Sequence, residues 1–254
     1  VSEWLELQKQ RSITMLPLPP LVEQLRMVKS PEEVEAIRQS VLTNSKAFDR
    51  VLTNIRPEAT EAELAGEIEY QQRRNGAEGP AFESIVAAGP RSALPHARPS
   101  NEQVGTNRLL LFDIGALQTG YCSDMTRVVH LGRAGNKAKK LYRAVLEAQL
   151  AAIDAVKPGV TAGKVDTAAR NVLEKHGLGT LFVHSTGHGL GLEIHEPPRL
   201  GRKDKTRLQA GMVITIEPGA YMEGFGGVRI EDTVLVTDAG CEILTPTSKD
   251  FVVV

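Results

Sequence analysis

Leu109-Leu110-Leu111-Phe112-Asp113-Ile114-Gly115, a turn at Leu117-Gln118-Thr119-Gly120, and Tyr121-Cys122-Ser123-Asp124-Met125-Thr126-Arg127-Val128-Val129 read together as one β-hairpin. Opposed residues in an antiparallel hairpin have position numbers with a constant sum. A turn centred between Gln118 and Thr119 therefore sets Asp113 opposite Asp124. A second hairpin runs from Val213-Ile214-Thr215-Ile216-Glu217, through a loop centred near Gly224, to Gly227-Val228-Arg229-Ile230-Glu231-Asp232-Thr233-Val234-Leu235-Val236. The same arithmetic sets Glu217 opposite Glu231. Opposed like charges destabilise a sheet, and the apolar flanks predict burial, where unpaired charge costs more. One such pair could be a shared-proton dyad or a misplaced register. Two pairs in one chain point to a multivalent cation between them, most economically a pair of metal ions.

The remaining composition narrows the possibilities. The chain has 254 residues, a formal net charge of −1 and two cysteines. Near-neutrality offers nothing to nucleic acid or another polyanion. No run of about 18 apolar residues predicts a membrane span. Cys122 and Cys241 make no disulfide framework and suit a reducing, cytoplasmic setting. Both read as packed strand residues.

Helix signals lie around the hairpins. Ser30-Pro31-Glu32-Glu33 is a helix start, with Ser at the N-cap, Pro in the first turn and Glu three residues on; the helix ends near Ile55-Arg56-Pro57. Thr60 to Asn75-Gly76 predicts a second helix, and Phe82 to Gly89 a strand. The pattern then recurs: a helix over Leu141 to Val156, another from Thr161 to His176-Gly177, a strand over Leu181 to Gly189, and the second hairpin. An offset of roughly 100 residues is too long for a solenoid. It predicts an internally duplicated α+β domain with an antiparallel sheet covered by helices, bringing both hairpins to one central site.

Four carboxylates need a partner of another kind. The stretch Ser185-Thr186-Gly187-His188-Gly189-Leu190-Gly191 offers His188, with glycines that could let backbone approach a ligand. Oxygen ligands with one imidazole favour Mn²⁺, Co²⁺, Zn²⁺ or Fe²⁺ over copper or a thiolate site. Two such ions in one site can activate water between them, which is the chemistry of hydrolysis.

Four motifs carry a family resemblance: Phe-Asp-Ile-Gly through Ser-Asp-Met-Thr-Arg (112–127), Gly-His-Gly-Leu-Gly through Ile-His-Glu-Pro-Pro (187–198), Ile-Glu-Pro-Gly-Ala-Tyr (216–221) and Gly-Val-Arg-Ile-Glu-Asp (227–232). The chain resembles the catalytic domain of the pita-bread metallopeptidases, which include Xaa-Pro aminopeptidase, prolidase and methionine aminopeptidase. Arg-Ile-Glu-Asp and the Leu-Pro-His-Ala-Arg-Pro-Ser segment around His96 are similar to the proline-specific members.

The resemblance implies the pita-bread fold and a metal set of Asp113, Asp124, His188, Glu217 and Glu231. These would hold two divalent ions, Mn²⁺ first, with Asp124 and Glu231 shared between them. Glu217 would also serve as general base, and His96 and His195 would contact substrate carbonyls. Arg229 shares strand parity with Glu231 and faces the same cleft, as a substrate contact or as an anchor for the acids. Thr126 reads as support behind Asp124, Tyr221 as a cleft residue and His184 as pocket wall. His130 and His176 carry structural readings only, and Gly201 to Arg207 reads as a solvated loop.

Proline-specific members usually carry an N-terminal domain. Residues 1–30 are therefore read as a linker or remnant of one, and 31–254 as the catalytic domain. The implied substrate is a peptide with proline in second position, and the implied assembly a homodimer or homotetramer. The rivals are methionine aminopeptidase-type activity, creatine hydrolysis without metal, and a binding protein that keeps the fold without catalysis.

Overall fold

The computed structural model describes residues 18–254 together with Glu6, Leu7 and Lys9; the rest of the 1–30 reading, ahead of Leu18, lies outside those residues. A short helix α1 (Leu21–Met27) leads to α2 (Pro31–Leu52) and α3 (Glu61–Arg74). Strands β1 (Gly79–Pro80), β2 (Ile85–Ala88), β3 (Arg108–Ile114), β4 (Ala116–Gln118), β5 (Tyr121–Cys122) and β6 (Met125–Leu131) complete the first half. The second half opens with α4 (Asn136–Asp154) and α5 (Ala162–Lys175), followed by β7 (Gly187–Gly189) and β8 (Glu196–Leu200). It continues with β9 (Val213–Ile216), β10 (Gly219–Met222), β11 (Gly226–Arg229), β12 (Asp232–Val236) and β13 (Cys241–Ile243). Among the described residues, no helix is long and apolar enough to cross a membrane.

The capping box predicted at Ser30 forms, and a second forms at Thr60. Glu33 N–H donates to Ser30 Oγ while Ser30 N–H donates to Glu33, and Thr60 and Glu63 make the same exchange. Such a cap is worth about 1 kcal/mol. α4 begins at Asn136, a full turn before the predicted Leu141, because the polar Lys137, Lys139 and Lys140 still fit its solvent face. The strand predicted over Leu181 to Gly189 is mostly not a strand. Its first part is a 3-10 turn at Gly179–Leu181 and irregular chain, and only Gly187–Gly189 pairs.

The duplication is visible in the pairing. The first half carries a sheet in the order β2-β3-β6, and the five-stranded sheet β13-β12-β9-β7-β8 contains the matching triplet β7-β9-β12. Alternation along β3 feeds two cores. Leu110, Phe112 and Ile114 pack with Phe48, Leu64 and Ile68 from α2 and α3. Leu109 and Leu111 join the core of the other half, with Val145, Val165, Ile214 and Ile216. Asp113 shares the face of Leu109 and Leu111 and so points toward the second half.

The first hairpin is registered differently from the prediction. Gln118 pairs with Tyr121, closing a two-residue turn in which Thr119 and Gly120 both have positive φ, 50° and 77°. Turns of this primed kind match the twist of the flanking strands. The turn centre therefore moves by one residue, and Asp113 pairs with Thr126 instead of Asp124. A slip of two keeps every side chain on its face. The two aspartates are diagonal neighbours, which relieves the direct opposition of charge. The second hairpin keeps the predicted register, since Ile216 pairs with Asp232 and Gly219 with Arg229 on either side of Glu217 and Glu231.

Candidate metal centre

One cleft of about 930 Å³ is lined by Asp113, Asp124, His188, Glu217, Glu231, His96, His195 and Arg229 together. Asp113 comes from β3, Asp124 from the junction of β5 and β6, Glu217 from the end of β9 and Glu231 from the junction of β11 and β12. His188 is the middle residue of β7, and its flanking glycines have a structural cause. A Cβ on Gly187 would lie 1.9 Å from Thr215 O, and one on Gly189 2.3 Å from Pro197 O. The glycines therefore admit neighbouring strands, not a ligand as the sequence suggested.

Within the cleft, donor atoms of Asp124, His188 and Glu231 all lie within 4.8 Å of one another. His188 Nε2 is 3.5 Å from Asp124 Oδ2 and 3.4 Å from Glu217 Oε1. Asp113 is turned onto the Arg229 guanidinium at 2.5 Å. Arg229 also donates to Thr126 Oγ1 at 2.9 Å and to the Tyr221 hydroxyl at 2.7 Å. Thr126 in turn donates to Glu231 Oε2 at 2.6 Å. Tyr221 thus stands behind Arg229, bonded to His184 at 2.8 Å, and is not among the residues that line the cleft.

The electrostatics of this cluster call for a cation. Burial pushes Asp124 up to about 7, opposed by the His188 hydrogen bond and reinforced by the charge of Asp113. Burial likewise raises Glu217, and raises Glu231 well above the usual carboxylate range, with Asp124 and Glu217 adding to the effect on Glu231. Burial alone would lower His188, but its hydrogen bond to Asp124 and the Glu217 charge hold it at about 9. Asp124 Oδ1 and Glu231 Oε1 are buried with no hydrogen-bond partner. Buried acceptors are almost always satisfied. Two orphaned carboxylate oxygens beside an imidazole fit a hard or borderline divalent ion, so the residues present fit the group that the sequence implied.

Several supporting residues carried no signal in the sequence. Arg127 is buried, donating to Glu231 O at 2.5 Å and to Asp232 Oδ1 at 2.7 Å. Lys249 and Gln149 complete the shell of Asp232. Thr215 Oγ1 accepts from His188 N–H at 3.1 Å and lies 3.3 Å from Glu217 Oε1. Glu61, the first residue of α3, accepts from Ala88 N–H, Arg91, and the N–H and hydroxyl of Ser100, tying down both ends of the loop that carries His96. Apart from Thr215 and Glu217, these partners are far apart in the chain, so no local spacing reveals them. His130 and His176 behave as read: His130 Nδ1 meets Gly132 O, and His176 pairs with Glu147 at 2.7 Å. The loop over 201–207 is mainly solvated, though Asp204 and Thr206 turn inward to the cleft.

Comparison with known proteins agrees with this geometry. A family model described as metallopeptidase family M24 matches residues 35–238. The Xaa-Pro dipeptidase of Pyrococcus furiosus is 45% identical over 231 residues, covering 91% of this chain and 66% of that protein. The chain thus spans just under two thirds of that relative's length. A solved Xaa-Pro dipeptidase from Bacillus anthracis superposes with a TM-score of 0.96 at 40% identity, covering 100% of this chain and 71% of the other. An X-Pro aminopeptidase from Thermotoga maritima gives a TM-score of 0.93 at 40% identity, covering 100% and 72%. With the pita-bread fold shared across these structures and the family model spanning most of its length, the chain belongs to metallopeptidase family M24.

Proposed function

We propose that this protein is a metal-dependent hydrolase of the Xaa-Pro bond, acting at the N-terminus of peptides or on dipeptides, with residues 31–254 as its catalytic part. The observation that carries this reading is the pair of buried, partnerless carboxylate oxygens of Asp124 and Glu231 beside His188. Asp113, Asp124, His188, Glu217 and Glu231 would hold two divalent ions, Mn²⁺ first, and Arg229 keeps Asp113 aimed into the cleft. Bound there, divalent ions supply a polarised scissile carbonyl and an acidified water.

The chain's own groups do the rest. Glu217, whose carboxyl burial holds above its ordinary range, takes a proton from the attacking water. It then returns that proton to the departing proline nitrogen, which has no hydrogen of its own before the bond breaks. His96 and His195 line the cleft where an N–H can reach a substrate carbonyl oxygen. Phe82, Ile85, Pro95, Ile194 and Pro198 give the same cleft apolar walls suited to a proline ring. The names carried by the relatives, Xaa-Pro dipeptidase and X-Pro aminopeptidase, support the same specificity.

The test is a substrate panel of Ala-Pro, Ala-Pro-Ala, Met-Ala-Ala and creatine, run with several divalent ions beside elemental analysis. Cleavage of the proline peptides that depends on added metal is expected. Faster release of Met from Met-Ala-Ala would replace the reading with a methionine aminopeptidase. Binding of metal without turnover of any peptide would replace it with a binding protein. Light scattering of the same preparation tests the homodimer or homotetramer that the resemblance implies.

A further inference from the structure

Lys29 and Arg26 precede the first long helix, yet both reach across the chain to Glu196, the residue that follows His195. Lys29 Nζ lies 3.0 Å from Glu196 Oε2, and both side chains are 2% exposed. Arg26 Nη2 donates to Glu196 Oε1 at 2.5 Å. The same oxygen accepts the N–H of Glu193 at 3.1 Å, and Gly191 N–H bonds back to Glu193 O at 3.0 Å. One buried carboxylate therefore closes the loop over 191–196 on itself and fastens it to α1. Space around it is tight: a Cβ on Gly191 would lie 3.0 Å from Glu196 Oε1 and 3.1 Å from Lys29 Cε.

α1 is otherwise lightly held. None of its residues is buried, and beyond the ion pairs its exit is secured by the Val28–Met212 bridge and by Lys29 N–H on Gly211 O. A buried ion pair gains little stability over apolar packing. What these bonds do fix is position. They lie one residue from His195, whose ring meets that of His188 edge-on at 4.4 Å between centroids. Small displacements of a group that contacts a reacting carbonyl are expensive in rate.

We propose that Glu196, held by Lys29 and Arg26, is a positioning residue for His195, so that the segment ahead of α2 sets the histidine that contacts the substrate. This rests on the role given to His195 above. The Glu196 carboxylate is taken up by its two cations and the Glu193 N–H, and it acts by holding the His195 backbone in place.

A double-mutant cycle separates positioning from general stability. Lys29→Met and Arg26→Gln are each made in the parent protein and in His195→Ala, and kcat, KM and bound metal are measured on Ala-Pro with Mn²⁺. In the parent, Lys29→Met should lower kcat roughly ten- to a hundredfold, the scale of a ~1 Å misplacement, and Arg26→Gln several-fold less, with KM and metal content little changed. In His195→Ala, neither should lower kcat further. Equal losses in both backgrounds, or none in the parent, overturn the proposal. Arg26 is partly exposed, so its cycle decides the matter if Lys29→Met does not fold. A readout free of turnover keeps the proposal distinct from the activity itself. Arg26→Gln should shift the imidazole NMR signals of His195 and leave those of His96 in place. Unmoved His195 signals would refute positioning even in a protein that cleaves no Xaa-Pro bond.

Discussion

The two halves of the molecule repeat the same helix pair and the same strand triplet, but they support the site differently. In the first half, Ala87 on β2 pairs with Leu111, two residues before Asp113. In the second, His188 on β7 bonds to Thr215, two residues before Glu217. An apolar pair in one half thus stands where the other has a histidine whose backbone N–H meets a threonine hydroxyl. Each half carries two acids of the cleft, and the second adds the His188 imidazole beside them and the Thr215 hydroxyl near Glu217. The first half contributes a rigid apolar platform, plus Arg127 and Thr126 reaching across to Glu231. Duplicated scaffolds can therefore place like groups symmetrically while the chemistry is completed from one side.

Breaking this asymmetry directly has the largest expected effect. His188→Ala should abolish metal-dependent hydrolysis and deplete bound metal while circular dichroism stays unchanged. The mirror change, Ala87→His, should add no metal to the elemental analysis. Instead it should destabilise the fold by about 1–3 kcal/mol, because Ala87 is fully buried and overpacking is costly. Full turnover by His188→Ala would remove the second half's special role.

Cutting the link between the halves comes next. Arg127→Met leaves Asp232 buried with Lys249 as its remaining cation. Breaking one partner of a buried pair costs about 3–5 kcal/mol, and denaturant unfolding should show a loss at the lower end of that range. A loss under about 1 kcal/mol, the ordinary value of a single hydrogen bond, would mean the halves do not depend on this arginine.

The pH dependence of metal uptake is the gentlest probe. Asp124 is raised to about 7 and His188 to about 9 in the metal-free protein, so near neutral pH His188 holds its proton and Asp124 holds one for part of the time. A bound cation requires both groups deprotonated. Affinity should therefore fall as pH drops through 9 and fall more steeply below 7, by about tenfold per pH unit for each proton displaced. Calorimetry in buffers of different ionisation enthalpy should record proton release on Mn²⁺ binding. Uptake without proton release at pH 6 would contradict the charge state assigned to both.

Much of this site could be read before any coordinates. The acids, the glycine-flanked histidine and the strand parity of Arg229 and Thr126 all follow from residue type and a side-chain period of two. Because that period tolerates a slip of two, Asp113 and Asp124 remained on one face although their register was misread. The cause of the shifted register is local: Thr119 adopts a positive-φ conformation, which a β-branched residue seldom does. Tyr221 moved from cleft to support for a related reason, since parity gives a face but not which neighbour fills it.

Residue type and periodicity alone thus determined the helix pairs, the cap at Ser30, the duplication and the facing of the four acids, because these depend on contacts within a few residues. Tertiary structure alone decided which groups hold them: Arg127 on Asp232, Glu61 beneath the His96 loop, and Lys29 with Arg26 on Glu196. Those partners are joined by burial across tens to more than a hundred residues of chain. A charge that must find its counter-ion in a low-dielectric interior takes whichever one the completed fold brings near, and no local pattern records that choice.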